Sequence, residues 1–506
     1  MSHPNSNSTF HSSSSSSSSS TPFSPPSTIL IIGSGVFGLS TAYALAQRPD
    51  FSSTSITVVD RSTEPAVFPS RDASSIDTSR IIRADYADPA YAHLAAEALV
   101  HWRKRGDDDL GGQGRYSETG LVLVADGPPI PSNADGSGGG AGDLPPVDAQ
   151  PGKKTGMYYV RSSWENVKAI AEREGPEVAE KVRELPNSDA IRDAVGTGGG
   201  SGSWGYLNAL SGWADAEASM DWFYQRVVST GRVKFINGTV TSLAHANGAV
   251  TGAVLSTNQT LSADLVILAT GAWTGSLIDL SGQATATGQV LAYMPITDEE
   301  QAKLSKMPTL LNLSTGLFII TPSHNTLKVA RHAYGYLNPT TTMTSPLRPS
   351  QGDSTGHTSS TVSLPVTHVD QPDLSIPPSA EELLRSAVRE MVPLPGLVDR
   401  PFSKTRLCWY TDTPSGDFVV DYHPHWRGLF VATGGSGHAF KFLPIIGEKV
   451  VDCIKGQCPL DFKPKWSWKT SGTFTSWDAV VTEDGSRGGK PGLILQEELA
   501  SSTATQ

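Results

Sequence analysis

The residues best suited to chemistry stand near the start of the chain. An apolar run from Thr28, Thr-Ile-Leu-Ile-Ile, stops on Gly33-Ser34-Gly35-Val36-Phe37-Gly38, and Asp60 ends the next apolar run, Ile56–Val59. A Gly-x-Gly-x-x-Gly turn between a strand and a helix fits a dinucleotide. Its first glycine permits the tight turn, the second lets backbone approach a pyrophosphate, and the third lets the helix pack closely on its strand. Backbone N–H groups at the N-terminus of the amphipathic helix Val36–Ala46 then face the anion, and Asp60 is expected to hydrogen-bond a ribose hydroxyl.

Two further glycine clusters follow apolar strands. Leu261–Leu268 reads as a strand ending in Ala269-Thr-Gly-Ala-Trp-Thr-Gly275, and Gly428–Ala432 runs into Thr433-Gly-Gly-Ser-Gly-His-Ala-Phe-Lys-Phe442 before a helix over Pro444–Ile454. Small residues at a strand end allow backbone to approach the same ligand. Asp215–Thr230 is expected to be a helix, and Val233–Leu243 and Gly248–Leu255 are expected to be strands. Leu327–Ala330 alternates apolar and polar residues, so Lys328 and Ala330 share one face of a strand, with Leu327 and Val329 on the other. Gly127–Pro151, Gly196–Gly202 and Asn338–Pro378 carry turn formers without periodicity and are expected to form surface loops.

The bulk numbers exclude several functions. The 506 residues allow about two domains, and 39 basic against 50 acidic side chains give a formal charge of −11, which repels nucleic acid. The three cysteines, Cys408, Cys453 and Cys458, are too few for a disulfide framework, and no metal-ligand spacing is present. Met1–Ser27 contains nine consecutive serines (Ser12–Ser20), lacks Lys and Arg, and reads as a disordered tail. No apolar run is long enough to span a bilayer, and the chain does not end in a Ser-Lys-Leu type of peroxisomal address. The expectation is a cytoplasmic protein without a membrane partner.

Four blocks together resemble the FAD-dependent amine oxidases that include monomeric sarcosine oxidase, pipecolate oxidase, saccharopine oxidase and fructosyl amino acid oxidase. They are Gly33–Gly38; Asp77-Thr-Ser-Arg-Ile-Ile-Arg-Ala-Asp-Tyr86; Ala269–Trp273; and Cys408-Trp-Tyr-Thr-Asp-Thr-Pro414, continuing through Asp417-Phe-Val-Val-Asp-Tyr-His-Pro424 to Gly434–Phe442. The stretch Arg71–Arg80 resembles fungal saccharopine oxidase-like proteins in particular. The resemblance runs from Ile29 to about Pro464.

The resemblance implies FAD, with Cys408 where many members bond a cysteine sulfur to the flavin. It implies that Arg83 and Lys441 grip a substrate carboxylate, that Tyr86 and Tyr410 form aromatic walls, that Arg80 lies beside the flavin, and that Lys328 activates O2 with His332 on the substrate side. Gly33, Gly35, Val36, Phe37, Gly38, Asp60, Arg61, Ser79, Arg80, Val240, Gly271, Trp273, Gly435, Gly437, His438 and Lys441 complete the implied cofactor site. No metal is implied.

The implied reaction is oxidation of the C–N bond of a secondary-amine amino acid to an imine, with O2 reduced to H2O2. Two other readings are a tailoring oxidoreductase of natural-product biosynthesis and a flavin-binding protein without turnover. The expected fold is α/β: a Rossmann-type FAD domain assembled from residues 27–109, 207–288 and 406–464, and an α+β substrate domain with a mixed or antiparallel sheet from 110–206 and 289–405. Residues 465–506 are left as an extension holding Trp466, Trp468 and Trp477 without clear function, and a monomer is expected.

Overall fold

The computed structural model describes residues 23–62, 64, 67–127, 154–342, 360–469 and 481–501. Two large sheets organise it. The first has six strands in the order Val419–Tyr422, Leu429–Thr433, Leu265–Leu268, Thr28–Ile32, Ser55–Asp60 and Val233–Asn237, all parallel except the edge strand Val419–Tyr422. Its middle strands are apolar throughout because both faces are covered. Ile29 and Ile31 pack against residues of the helices Val36–Gln47, Ala216–Ser229 and Ile446–Ile454. Leu30 and Ile32 pack against the three-stranded antiparallel sheet Val240–Ala246, Ala249–Leu255 and Thr260–Ser262.

The turn after the first strand has no room for side chains. Gly33 has φ +98°, and a Cβ there would lie 2.4 Å from Ala269 O; a Cβ on Gly38 would lie 1.9 Å from Gly33 O. Both glycines are therefore fixed by sterics, and the helix starts where its N-terminus faces an open cavity.

The second sheet has ten strands. Its path is Leu493–Ile494, Tyr336–Leu337, Thr285–Pro295, Thr326–Arg331, Leu317–Ser323, Thr309–Asn312, Leu121–Ala125, Trp204–Asn208 and Val182–Leu185, with Lys404–Asp412 also paired to Thr285–Pro295. The long strand Thr285–Pro295 sets the register: Gln289 is opposite Cys408, and Tyr293 is opposite Lys328. Period-two alternation then puts Leu291, Tyr293, Ala330 and Cys408 on one face, while Val290, Ala292, Leu327, Val329 and Leu407 face the helix Pro378–Met391. Lys328 accordingly shares a face with Ala330.

Several expected elements are divided differently. The run Val233–Leu243 is two strands in two sheets, because the chain turns away after Asn237; Gly238 N donates to Asp60 O at 3.0 Å. Leu261–Leu268 divides likewise into Thr260–Ser262 and Leu265–Leu268, and between them Asp264 accepts from Thr28 N and Oγ1, both at 2.9 Å. The strand expected over Gly428–Ala432 spans Leu429–Thr433, and the helix expected from Pro444 begins at Ile446.

Strands also cross the expected domain limits. Trp204–Asn208 runs through 206/207, Thr285–Pro295 through 288/289, and Lys404–Asp412 through 405/406, all within the ten-stranded sheet. In the segment Asn338–Pro378, expected as a loop, Pro339–Thr342 and Ser360–Ser363 form an antiparallel pair. The serine run and most of Gly127–Pro151 lie outside the described residues. No described helix is long and apolar enough to cross a membrane.

Candidate active site

Two adjoining cavities lie between the sheets. The first, about 1340 Å3 with its open mouth, is lined by Gly33, Gly35, Val36, Phe37, Asp60, Arg61, Arg80, Val240, Gly271, Trp273, Gly435, Gly437 and His438 among others. The second, about 730 Å3 with its open mouth, is lined by Ser79, Arg80, Arg83, Lys328, His332, Cys408, Tyr410, Gly437, His438 and Lys441, with Ile81, Leu311, Phe318 and Ile320 as an apolar portion. Arg80, Tyr410, Gly437, His438 and Phe440 line both. Of the residues singled out in the sequence, Gly38 and Tyr86 line neither; Gly38 packs against Gly33, and Tyr86 stands behind Lys441.

Asp60 does more than face the first cavity. Its carboxylate accepts from Ser34 N (2.8 Å) and Ser34 Oγ (2.6 Å), and its other oxygen accepts from Arg61 N (2.8 Å), so it ties the glycine turn to the second strand. Burial pushes its pKa up against these hydrogen bonds. Arg61 pairs with Asp72 and lies 4.9 Å from the Trp273 ring centroid, which fixes both at the cavity wall.

The second cavity gathers cations. Arg83 is buried between the rings of Tyr86 (5.2 Å) and Tyr159 (5.9 Å), and its Nη1 has no hydrogen-bond partner. Lys441 Nζ donates to Tyr86 Oη and His438 O, both at 2.8 Å. Tyr86 in turn meets His438 Nδ1 at 2.9 Å, and His438 Nε2 donates to Gly416 O at 2.8 Å, so Nε2 carries the proton and Nδ1 accepts. Burial, then the nearby Arg83 charge, holds the Lys441 pKa well below the ordinary lysine value. A buried donor without a partner beside a lysine whose charge is suppressed is a site short of one anion.

Behind Lys328 and Arg80, Asp77 is a hub. It accepts from Lys328 Nζ (2.6 Å), from Tyr293 Oη (2.5 Å) and from Thr78 N (2.7 Å), and it pairs with Arg80. Burial alone would raise its pKa, but Arg80, Lys328 and Arg406 hold it far below the carboxylate range. Lys328 also donates to Ser79 O at 2.7 Å. Its pKa is lowered to about 8, chiefly by burial and against the pull of Asp77. Cys408 lies opposite Gln289, buried, with its sulfur 3.5 Å from Arg80 Nη2.

Sequence reasoning gave Asp77 no role, although it stands in the block that carries Arg80 and Arg83. It also missed Arg487, which reaches His332, Asp412 and Ser436 O from the C-terminal extension. No group of acidic, His or Cys side chains among the described residues is arranged to hold a metal.

Residues 28–453 match the family of FAD dependent oxidoreductases designated DAO. The chain belongs to this family. This FAD-dependent oxidoreductase is 32% identical over 479 residues to the amino acid oxidase imqH of Aspergillus flavus, a match covering 85% of this chain and 93% of that protein. It is 28% identical over 454 residues to the L-saccharopine oxidase of Schizosaccharomyces pombe, covering 87% and 93%. Among solved structures, the fructosamine oxidase Amadoriase II of Aspergillus fumigatus shares the fold, with a TM-score of 0.68, 24% identity, and coverage of 93% of this chain and 95% of that one.

The first cavity of this oxidoreductase fits FAD. A Cβ on Gly35 would meet nothing nearer than Ser75 Oγ at 3.9 Å, and that hydroxyl is itself buried without a hydrogen-bond partner. Both features suit a ligand that brings oxygen atoms close to backbone at a helix N-terminus. Gly33, Gly35, Val36, Asp60 and Arg61 would hold its nucleotide end. The residues shared by the two cavities would meet its ring.

Proposed function

We propose that this oxidoreductase oxidises the C–N bond of an amino acid carrying a secondary amine, with O2 as the electron acceptor and H2O2 as product. The observation that carries the proposal is the unpartnered Arg83 Nη1 in the same cavity as Lys441 and Lys328, the latter paired with buried Asp77. FAD held in the first cavity would supply the two-electron acceptor, with O2 as the final oxidant.

The residues divide the work by charge. Arg83 and Lys441 bind the α-carboxylate, the guanidinium through two N–H groups and the ammonium as a point charge. That anchor orients the substrate and places its amine away from the clamp. The amine must be neutral before its carbon can give up a hydride, and a cavity lined by cations and, among the described residues, by no carboxylate favours the neutral form. The substrate loses a hydride and a proton, and water hydrolyses the resulting imine. Lys328, held by Asp77 and Ser79 O, presents a fixed cation that stabilises charge developing on O2.

Cys408 would tether the flavin covalently, because its sulfur stands beside the cavity junction with the Arg80 charge at 3.5 Å. A protein that only bound flavin would have no use for Arg83, Lys441 and Lys328 in one cavity. Incubation with a panel of secondary amino acids, read as peroxide released per substrate consumed, tests the reaction. Equal amounts are expected, and no peroxide with any member would overturn it.

A further inference from the structure

Residues 481–501 lie beyond the family match, which ends at residue 453, yet they are bound into the second cavity's wall. Thr482 Oγ1 donates to Thr413 O (3.1 Å) and Glu483 N to Pro414 O (2.9 Å). Gly488 bridges to Ala333, and Leu493–Ile494 extends the ten-stranded sheet beside Tyr336–Leu337. A Cβ on Gly488 would lie 2.2 Å from Thr315 C, so the segment threads a gap that accepts only backbone.

This path brings Arg487, which is buried, up behind the cavity wall. Its Nη2 donates to Asp412 Oδ1 (2.6 Å) and Ser436 O (2.8 Å). Its Nη1 lies 3.0 Å from His332 Nδ1 and also contacts Nε2. Its guanidinium carbon is 5.5 Å from the centroid of the Tyr410 ring, which lies 5.7 Å from the His332 ring. His332 and Tyr410 line the cavity, whereas Arg487 stands behind them.

A guanidinium N–H only donates, so the imidazole nitrogen it meets must keep its lone pair. We propose that Arg487 is a positioning residue of the substrate cavity, fixing His332 as a neutral imidazole against Tyr410 and thereby keeping His332 from competing with Arg83 and Lys441 for the substrate carboxylate. The inference rests on the clamp reading given above. A protonated His332 would offer a rival anion site and would repel an ammonium substrate. The charged and titratable groups facing His332 are Arg487, Arg83, His438 and Lys441, with the Tyr410 ring tilted at 58° to the imidazole. Burial first, and then these groups, oppose its protonation.

Two measurements on the flavin-loaded enzyme test this. The first compares anaerobic flavin reduction by a secondary amino acid in the wild type, Arg487→Lys, His332→Asn and the double variant. A lysine keeps the charge but cannot serve His332, Asp412 and Ser436 together, so reduction should slow by about tenfold or more, with reoxidation by O2 unchanged. The double variant should be no slower than His332→Asn alone. Additive losses, or an Arg487→Lys enzyme reduced at the wild-type rate, overturn the proposal.

The second needs no turnover. Acetate is titrated against the flavin absorption band between about pH 5.5 and 7.5, the range in which an unperturbed imidazole changes charge. The wild type should show only the smooth fall with rising pH that Lys441 imposes. Exchanging the ion pair as a unit, Arg487→Met with Asp412→Asn, leaves no unpaired buried charge and should introduce one step, which His332→Asn removes. A pair variant whose pH profile matches the wild type overturns the proposal. If no amino acid reduces the wild type, the proposed reaction fails, while this titration still decides the role of Arg487.

Discussion

Lys328 Nζ and Asp77 Oδ2 lie 2.6 Å apart, and the side chains are 4% and 0% exposed. The pair joins two elements distant in sequence, because register places Lys328 opposite Tyr293, whose hydroxyl donates to the other oxygen of Asp77. The lysine is thus held where its charge is costly, and Asp77 keeps that charge available near neutral pH.

Reoxidation should therefore depend on pH. The Lys328 pKa is about 8, below its ordinary value, so the cation is present below that pH and lost above it. Stopped-flow reoxidation of the reduced enzyme should slow as pH rises through about 8. Asp77→Asn removes the charge that raises the Lys328 pKa, so the same fall should occur at lower pH. Lys328→Met should abolish the dependence and slow reoxidation much more than reduction.

Carboxylate binding should follow the clamp. Arg83→Lys removes the bidentate partner and should weaken binding by about 1.5–3 kcal/mol, or ~10–100-fold, read by flavin spectral titration. Lys441 starts with a suppressed pKa and gains a counter-charge when the carboxylate arrives, so binding takes up a proton. Affinity should fall as pH rises into the ordinary lysine range, and Lys441→Met should flatten that slope.

Acid precipitation of the purified protein should leave the yellow colour in the pellet, with a flavin adduct on the Cys408 peptide. Cys408→Ser should release the colour to the supernatant while the native enzyme still binds FAD, because the first cavity is built from other residues. Colour released from the wild type would remove the tether.

Gly38 lines neither cavity, yet Gly38→Ala should cost the flavin. The added Cβ would lie 1.9 Å from Gly33 O, and backbone rather than a flexible side chain would have to move. A loss of about 3 kcal/mol or more in stability is expected, with reduced flavin content in the folded fraction, measured by thermal unfolding and absorbance.

What the sequence disclosed was local. Glycine spacing announced the turn at Gly33–Gly38, and alternation in Leu327–Ala330 assigned Lys328 its face. Apolar runs do not say which sheet receives them, so Val233–Leu243 and Leu261–Leu268 read as single strands although backbone turns at Gly238 and Asp264 send their halves to different sheets. Asp77 was visible only as one acid inside a block, since its hub role depends on partners at 293 and 328. Arg487 carried no signal, because a single arginine near the C-terminus acquires meaning only when sheet pairing brings it to His332.

Anaerobic mixing with a matched pair of compounds tests the central claim most directly: a secondary amino acid, and the same amine lacking its carboxyl group. The account predicts that the acid bleaches the flavin, that the decarboxylated amine does so far more slowly, and that admitting O2 restores the colour with one H2O2 per flavin. Equal bleaching by both compounds, or bleaching by neither across the panel, would contradict it.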